Sequence, residues 1–580
     1  TGYLSRTTCN GIPDYWSAKN MSPKERMGHM EALDGSVAGP WAGLGVSQLK
    51  WLESDLRNAG KSKPIVIFSH NPLYEYYPPW NFWVRDWREV HEDLTKDNQK
   101  QFIPNHKVPV DDLREINKRN THYHLSDHEA SELRKDSRIE AVEIPMIPQK
   151  KALQEGDFNR GGTDSGQQDN WGLLRHIADN NIFGTSSSDP GGTYDYVLDG
   201  TGVDVVLQDS GIKTDHPEFQ DANLQSRVKQ INWFTESGVA GSQPANFYTD
   251  SDGHGTHVAS TMAGQKFGWA KNADIYSQTI LDNPGNSISV GNAMDTLLGW
   301  HQAKTNNRPT VVNMSYGYVY YLNTATTPNG FGFSSSGPWY DLVSGTYRGT
   351  PHTDTTRSNL RTRGINGQFR GNSLYGFPAR VSSVDADIKQ LTDAGIIVCI
   401  AAGNDSMKHD ISTGVDYNNS LVVTAFGTWF YHTGGSPNLN GEPGFNVGAI
   451  GFSNSNAAFN EKASFSDSGP ATNIYTCGQN IIGAWPTTTY PYHYNNSYGQ
   501  NKISGTSMAS PQMAGMAACL LQAHPDWSPR QVMNWFTSNA TSTILNTGQD
   551  DDYTTSNSVH GGPAKVGYLP LKGQKPFGIN

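Results

Sequence analysis

Through the larger, C-terminal part of the chain, short continuous apolar runs alternate with segments of helical period. Val203–Leu207 (VDVVL), Thr310–Met314 (TVVNM) and Ile396–Ala401 (IIVCIA) are apolar without strict alternation, the pattern of strands covered on both faces. A helical segment, Asp385–Ala394, leads into the last of these strands. Thr506–Ala523 (TSMASPQMAGMAACLLQA) is small and apolar throughout and reads as a long buried helix. Ser528–Ala540 reads as a further helix, with Ser528 as N-cap and Pro529 in its first turn. Strand–helix alternation of this kind predicts an α/β fold, a mostly parallel central sheet with helices on both faces. Reactive groups in such sheets gather at the carboxyl ends of the strands.

Charge divides the chain. Residues 1–150 carry 20 Lys and Arg against 21 Asp and Glu, whereas residues 151–580 carry 24 against 34. The dense, balanced first part and the Gly-, Asn-, Ser- and Thr-rich remainder place a boundary near residue 150. Gln149–Gly166, polar and Gly-rich, has the composition of a linker. At 580 residues the chain has room for several cores. A net charge of −11 argues against a general nucleic-acid binder. The longest apolar run, near Ala394–Gly403, is far short of the roughly 18 residues a membrane span requires. The chain opens Thr-Gly-Tyr without a basic-then-apolar leader, so any signal peptide is expected to be absent from this sequence. Four scattered cysteines do not make a disulfide framework or a Cys-rich zinc site. Cys399 and Cys519 lie in apolar segments and read as small buried hydrophobes.

Candidate chemistry sits where the predicted strands end and helices begin. Asp209, in Val206-Leu-Gln-Asp209-Ser-Gly-Ile, follows a buried strand. His254, in Asp252-Gly-His254-Gly-Thr-His257-Val-Ala, opens a helix after a Gly-containing loop. Ser507, in Gly505-Thr-Ser507-Met-Ala-Ser-Pro511, opens the long small-residue helix. A hydroxyl becomes an effective nucleophile when an imidazole takes its proton, and a carboxylate holds that imidazole in one tautomer. Asn404, after the strand IIVCIA in Ala401-Ala-Gly-Asn404-Asp, would add an amide donor for a developing oxyanion. Alone, each is an ordinary turn, cap or surface residue; the order Asp, His, Ser in three such contexts is not.

That order resembles the subtilisin-like serine proteases, or subtilases: DSGI, HGTHVA, NMSYG, AAGN and GTSMASP follow one another as in the family. The resemblance covers about residues 165–545. It implies a subtilisin-like fold and makes Asp209 the triad acid, His254 the base, Ser507 the nucleophile and Asn404 the oxyanion donor, with His257 as a packing residue. Ser315, Tyr316 and Gly317, with Ala401, Ala402 and Gly403, would line the first side-chain pocket and pair edge-on with an extended substrate. Small residues there imply a roomy, mostly apolar pocket, and no acid can be placed at its base. Two departures stand out: Ser260 where Gly is usual, and Thr476-Cys477-Gly478 where Ala-Pro-Gly is common. The short loop Gly264–Ala273 is similar to the proteinase K branch and speaks against the calcium loop of bacterial subtilisins. Calcium is still an expectation from the family, with oxygen ligands sought in Asp405–Asn419 and no site assigned; the chemistry itself requires no cofactor.

The flanking regions complete the organisation. Within 99–148, Thr121–Pro145 reads as strand, Ser126-capped helix and strand, similar to the second half of an inhibitor-type propeptide. Cleavage is then expected within Ile144–Gly166. Within 1–98, Gln48–Tyr74 is similar to the late part of calcineurin-like metallophosphoesterases, with His70 at the metal-ligand position. The other ligand motifs are missing, so this segment is expected to dock or space. The expected layout is therefore 1–98, 99–148, a linker 149–166, a protease domain 167–545 and a tail 546–580. An insertion at 318–380 reads equally as surface elaboration or as a lid or partner-binding surface near the cleft. The implied activity is peptide-bond hydrolysis on polypeptide substrates by a secreted, self-processing zymogen whose own propeptide is a partner. The alternative is a structural or binding subunit of a larger assembly, for example a virion.

Overall fold

In the computed structural model, residues 170–570 are described outside a set of loops, chiefly 183–193, 237–248, 282–287, 323–330, 333–341, 410–418, 432–438, 453–459 and 545–558; before residue 170 only 114–115, 121–122, 135, 149–150 and 152–153 are described. The chain forms two compact units, Thr1–Val142 and Glu143–Asn580. In the first, Arg114–Glu115 and Thr121–His122 pair antiparallel. The phosphoesterase-like segment with His70 and most of the propeptide-like segment lie outside the described residues.

The second unit is built on an eight-stranded sheet. In chain order its strands are β1 (Asp204–Asp209), β2 (Val228–Gln230), β3 (Asp274–Thr279), β4 (Thr310–Met314), β5 (Ile397–Ala401), β6 (Phe445–Phe452), β7 (Asn460–Lys462) and β8 (Ile474–Cys477). The spatial order is β7-β6-β5-β4-β1-β3-β2, with β8 also paired to β6. Every pairing is parallel except that of β6 with β7. The strands β1, β4 and β5 are buried at every residue, as continuous apolar runs require of a sheet covered on both faces.

The covering layers are two hydrophobic cores. On one face α1 (His254–Ala263) and the long α4 (Thr506–Ala523) pack with Val205, Leu207, Cys399 and Val447. On the other, α2 (Val290–Ala303) and α3 (Ser382–Asp393) pack with Val206, Val312, Val398 and Ile400. The period-2 alternation of side chains sends Val205 and Leu207 to one layer and Val206 to the other. The final helix, α5 (Pro529–Asn539), begins where the sequence places it, with Ser528 and Gln531 forming a capping box. Cys399, Cys477 and Cys519 are buried and form no disulfide with one another.

The insertion after β4 contains more regular structure than its composition indicates. Val319–Leu322, Phe331–Gly332, Gln368–Arg370 and Ser373–Pro378 form a four-stranded antiparallel sheet. Leu342–Tyr347 and Thr350–His352 form another with Asn419–Val423 and Gly427–Tyr431. These strands are two to six residues long, too short to register as periodic segments.

Candidate active site

The parallel order brings the sequence-selected residues to one edge of the sheet. β1 and β4 are hydrogen-bonded neighbours, as are β4 and β5. Their carboxyl ends carry Asp209, Ser315 and the Ala401–Asn404 turn side by side. The N-termini of α1 and α4 deliver His254 and Ser507. Asp209, His254 and Ser507 are all buried.

Asp209 Oδ1 lies 2.7 Å from His254 Nδ1. A carboxylate only accepts, so the proton sits on Nδ1 and leaves the Nε2 lone pair free. His254 Nε2 is buried and has no hydrogen-bond partner among the described residues. The loop that carries it is fixed by a residue the sequence analysis did not select. Asp250 accepts from the backbone N–H of Asp252, Gly253 and Thr256 and from the hydroxyls of Ser210 and Thr256. Burial pushes its carboxyl above the usual carboxylate range, against the opposing pull of the Thr256 and Gly253 donors. Its sequence signal is an acid four residues before a helix start, a common turn feature. Gly253 adopts a positive φ of 107°, and a Cβ there would run into the Trp485 ring. Gly255 sits against the Gly211 carbonyl with no room for a side chain.

α4 contains Pro511, which has no N–H to offer the carbonyl four residues back, that of Ser507. The Ser315 hydroxyl donates to that carbonyl instead, at 3.0 Å. In return the Ser507 hydroxyl donates to the Ser315 carbonyl at 3.1 Å. Asn313 supports the pair, donating to Ser315 Oγ at 2.9 Å and accepting from Ser510 at 2.7 Å. Ser507 Oγ therefore rests on the end of β4, with no hydrogen bond to the His254 ring.

Asn404 faces the same helix start. Its side-chain oxygen accepts from both the backbone N–H and the hydroxyl of Thr506, each at 2.9 Å. That pair of donors identifies the oxygen and leaves Nδ2, a buried donor with no partner among the described residues. Ser507, second residue of α4, has a backbone N–H with no intrahelical acceptor. Thr506 is thus the residue that orients Asn404, and it too escaped the sequence analysis. The turn is completed by Gly403, whose N–H donates to Thr506 Oγ1 at 3.0 Å, and by Asp467, which accepts from the N–H of Asp405 and Met407.

The residues expected to border a substrate divide into backbone and side-chain contributors. Tyr316 and Gly317 form a short strand beside the site, yet the Tyr316 side chain is fully buried and donates to Gln208 at 2.9 Å. Its contribution at the edge is its backbone. Ala401, Ala402 and Gly403 are buried at the end of β5. His257 is buried, with Nε2 shared between the carbonyls of Ile481 and Asn501, the contacts of a packing residue. Both sequence departures have partners. Ser260 Oγ donates to the His257 carbonyl and accepts from Ala484 N–H at 2.8 Å each, joining α1 to the strand Ile481–Trp485. Thr476 Oγ1 donates to the Ala509 carbonyl at 2.7 Å.

The short loop Gly264–Ala273 is held from inside. Glu218 accepts from Lys266 and Phe267 N–H, and Arg227 donates to the carbonyls of Ala263 and Ala273. The buried Lys271 ammonium donates to the Gln265 carbonyl at 2.8 Å and stands over the rings of Tyr194 and Tyr196. Among the described residues no group of three or more His, Cys, Asp or Glu could hold a metal ion. Of the Asp405–Asn419 segment, residues 410–418 lie outside the described residues.

The chain is 26% identical over 374 residues to the subtilisin-like serine protease Cur l 4.0101 of Cochliobolus lunatus, an alignment covering 63% of this chain and about half (52%) of that protein. It is 26% identical over 450 residues to subtilisin-like protease 4 of Arthroderma benhamiae, covering 77% of this chain and 79% of the relative. It is 25% identical over 411 residues to the extracellular serine proteinase of a Thermus species, covering 70% and 67%. The family model of the subtilases matches residues 200–561, more than half of the chain and the whole span that carries Asp209, His254, Asn404 and Ser507. The chain belongs to the subtilase family.

Proposed function

We propose that this chain is a serine endopeptidase that hydrolyses peptide bonds through an acyl-enzyme, with Asp209, His254 and Ser507 as its triad and Asn404 as oxyanion donor. The observation that carries the reading is a pair of buried, unsatisfied atoms, His254 Nε2 and Asn404 Nδ2, on residues that share one sheet edge with Ser507. Burying a polar group without a partner is costly, on the order of 1–3 kcal/mol each, and both atoms are open to a substrate that reaches this edge. Acyl transfer uses them as proton acceptor and oxyanion donor.

The side chains then act in sequence. Rotation of Ser507 about its Cα–Cβ bond moves the hydroxyl from the Ser315 carbonyl to His254 Nε2. As the oxygen attacks the substrate carbonyl carbon, Nε2 takes the proton, and Asp209 stabilises the imidazolium through Nδ1. The oxyanion is met by Asn404 Nδ2 and the Ser507 N–H at the start of α4, donors that need no reorganisation. His254 next gives the proton to the leaving amine. Water activated by the same nitrogen hydrolyses the ester, restoring Ser507.

The substrate would be an extended polypeptide pairing by its backbone with Tyr316–Gly317. Small residues at Ala401, Ala402 and Gly403 support a roomy apolar first pocket. The segment 99–148 is read as a propeptide and the product as a secreted enzyme, in keeping with the Thermus relative's description as extracellular. No described helix is long and apolar enough to cross a membrane. The chemistry is assigned wholly to side chains and backbone; a structural calcium would take oxygen ligands from loops such as Asp405–Asn419, and no site is assigned. The relatives are described as proteases, which gives no support to a purely structural subunit.

Intact mass after treatment with a fluorophosphonate probe tests the reading. One adduct mapped to Ser507, absent in Ser507→Ala, is expected. Folded, mature protein that takes no adduct and cleaves no unfolded polypeptide would overturn it.

A further inference from the structure

The polar segment after residue 148, expected as a plain linker, begins as two short strands. Gln149–Lys150 pairs antiparallel with Tyr316–Gly317, in the register Gln149 opposite Gly317 and Lys150 opposite Tyr316. Ala152–Leu153 pairs antiparallel with the end of Gly499–Gly505, Ala152 opposite Gly505 and Leu153 opposite Ser504. The first partner strand directly follows Ser315, and the second directly precedes Thr506 and Ser507. The chain's own backbone is thus paired on both sides of the nucleophile, with one residue, Lys151, joining the two pairs.

We propose that the Lys151–Ala152 peptide bond is the bond that Ser507 of the same chain cuts. Counting fixes the position. One step beyond Lys150, the antiparallel register with Tyr316 reaches Ser315, whose carbonyl holds the Ser507 hydroxyl. One step before Ala152, the register with Gly505 reaches Thr506, the residue that orients Asn404. Both counts converge on residue 151 as the one whose carbonyl belongs beside Ser507 Oγ, Asn404 Nδ2 and the Ser507 N–H. Two residues are gripped before the bond and two after it, so neither side is free to slide without breaking the other. Because the bond is held in place covalently, its effective concentration is high, and cleavage does not depend on a good fit of the Lys151 side chain.

The step balances with one water. Ser507 Oγ bonds to the Lys151 carbonyl carbon, and its proton passes through His254 to the Ala152 nitrogen, which leaves as an amine. Water then hydrolyses the ester, giving a carboxylate at Lys151 and restoring the Ser507 hydroxyl. The cut severs the link between the two strand pairs. Among the described residues each half is then held by two paired residues, and the cleft is freed for other chains once they leave.

This inference rests on the hydrolase reading, and the experiment separates the two. The full chain is expressed and incubated, its earliest products are sequenced from their N-termini, and the pool is treated with a fluorophosphonate probe. The expected result is a first new N-terminus at Ala152, labelled Ser507 in the cut form, and a full-length Ser507→Ala chain with the same circular dichroism. Ala152→Pro, which replaces the leaving nitrogen by a tertiary one without N–H, is expected to slow the cut at least 100-fold. A labelled Ser507 with the first cut at any other bond overturns the proposal. So does a labelled chain that stays whole, or Ala152→Pro cut at the wild-type rate. A chain neither cut nor labelled overturns the hydrolase reading, and the proposal with it.

Discussion

Ser507 and Ser315 exchange hydrogen bonds, each hydroxyl donating to the other's carbonyl at 3.1 and 3.0 Å. The exchange follows from Pro511, which leaves the Ser507 carbonyl without its helical partner in the interior of the protein. Ser315→Ala removes the donor and leaves that carbonyl buried and unsatisfied. The expected cost is about 1–3 kcal/mol of stability, measured by urea denaturation. Pro511→Ala in the same background supplies the missing N–H and is expected to recover part of it. No recovery would mean that the Ser315 hydroxyl is not compensating for the proline.

Asn404 presents Nδ2 to the site because Thr506 occupies its oxygen twice. Asn404→Leu is expected to lower kcat about 10²–10³-fold with little change in KM. Thr506→Val removes the hydroxyl and should lower kcat by a smaller factor, roughly tenfold. In the double variant the Thr506 change should add almost nothing, because the two residues act as one unit. Full additivity would sever the connection between them.

Three buried histidines set an acid limit. Burial lowers the pKa of His176 and His257 to about 3 and that of His216 to about 4. Each is fixed as the neutral ring by backbone partners, His176 between the Gly567 carbonyl and the Cys477 N–H, His216 between the Gly499 carbonyl and the Glu218 N–H. The unfolded chain protonates these rings near pH 6.5 and the folded one only below about 4, so the unfolded state binds more protons in between. Their contribution is complete above pH 6.5 and is lost as pH falls toward 3. Each contributes a slope of about 1.4 kcal/mol per pH unit in that window. Thermal denaturation from pH 7 to pH 4 should show a falling Tm, and His176→Gln should flatten the fall. An unchanged slope would exclude His176 as a source.

The Gly264–Ala273 loop carries its own cation. Lys271→Met keeps most of the stem but leaves the Gln265 carbonyl without its ammonium partner and removes the charge over Tyr194 and Tyr196. A loss of about 1–3 kcal/mol is expected, with catalysis of the remaining folded protein unaltered. A Tm equal to that of the parent would show that the loop does not need the ammonium.

Much of the architecture is legible along the chain. Thr310–Met314 and Thr506–Ala523 coincide with the observed elements, and the Ser528 cap and Pro529 mark the last helix to the residue. Continuous apolar runs and caps are local signals, written within a few residues of the element they specify. Asp209, His254, Ser507 and Asn404 are legible for a related reason: each lies at an element end that its own neighbours define. What the chain could not announce is made by backbone or by distant partners. The pairing of 149–153 with Tyr316–Gly317 and Ser504–Gly505 uses main-chain groups that any sequence carries, so a polar, linker-like composition conceals it. Thr506, Asp250 and Ser315 acquire their positions only because residues some six to two hundred places apart meet at the carboxyl edge of one parallel sheet. Local periodicity determined the elements; the closing of hydrogen bonds in the packed interior decided which side chains hold the candidate site and which of its atoms have no partner among the described residues.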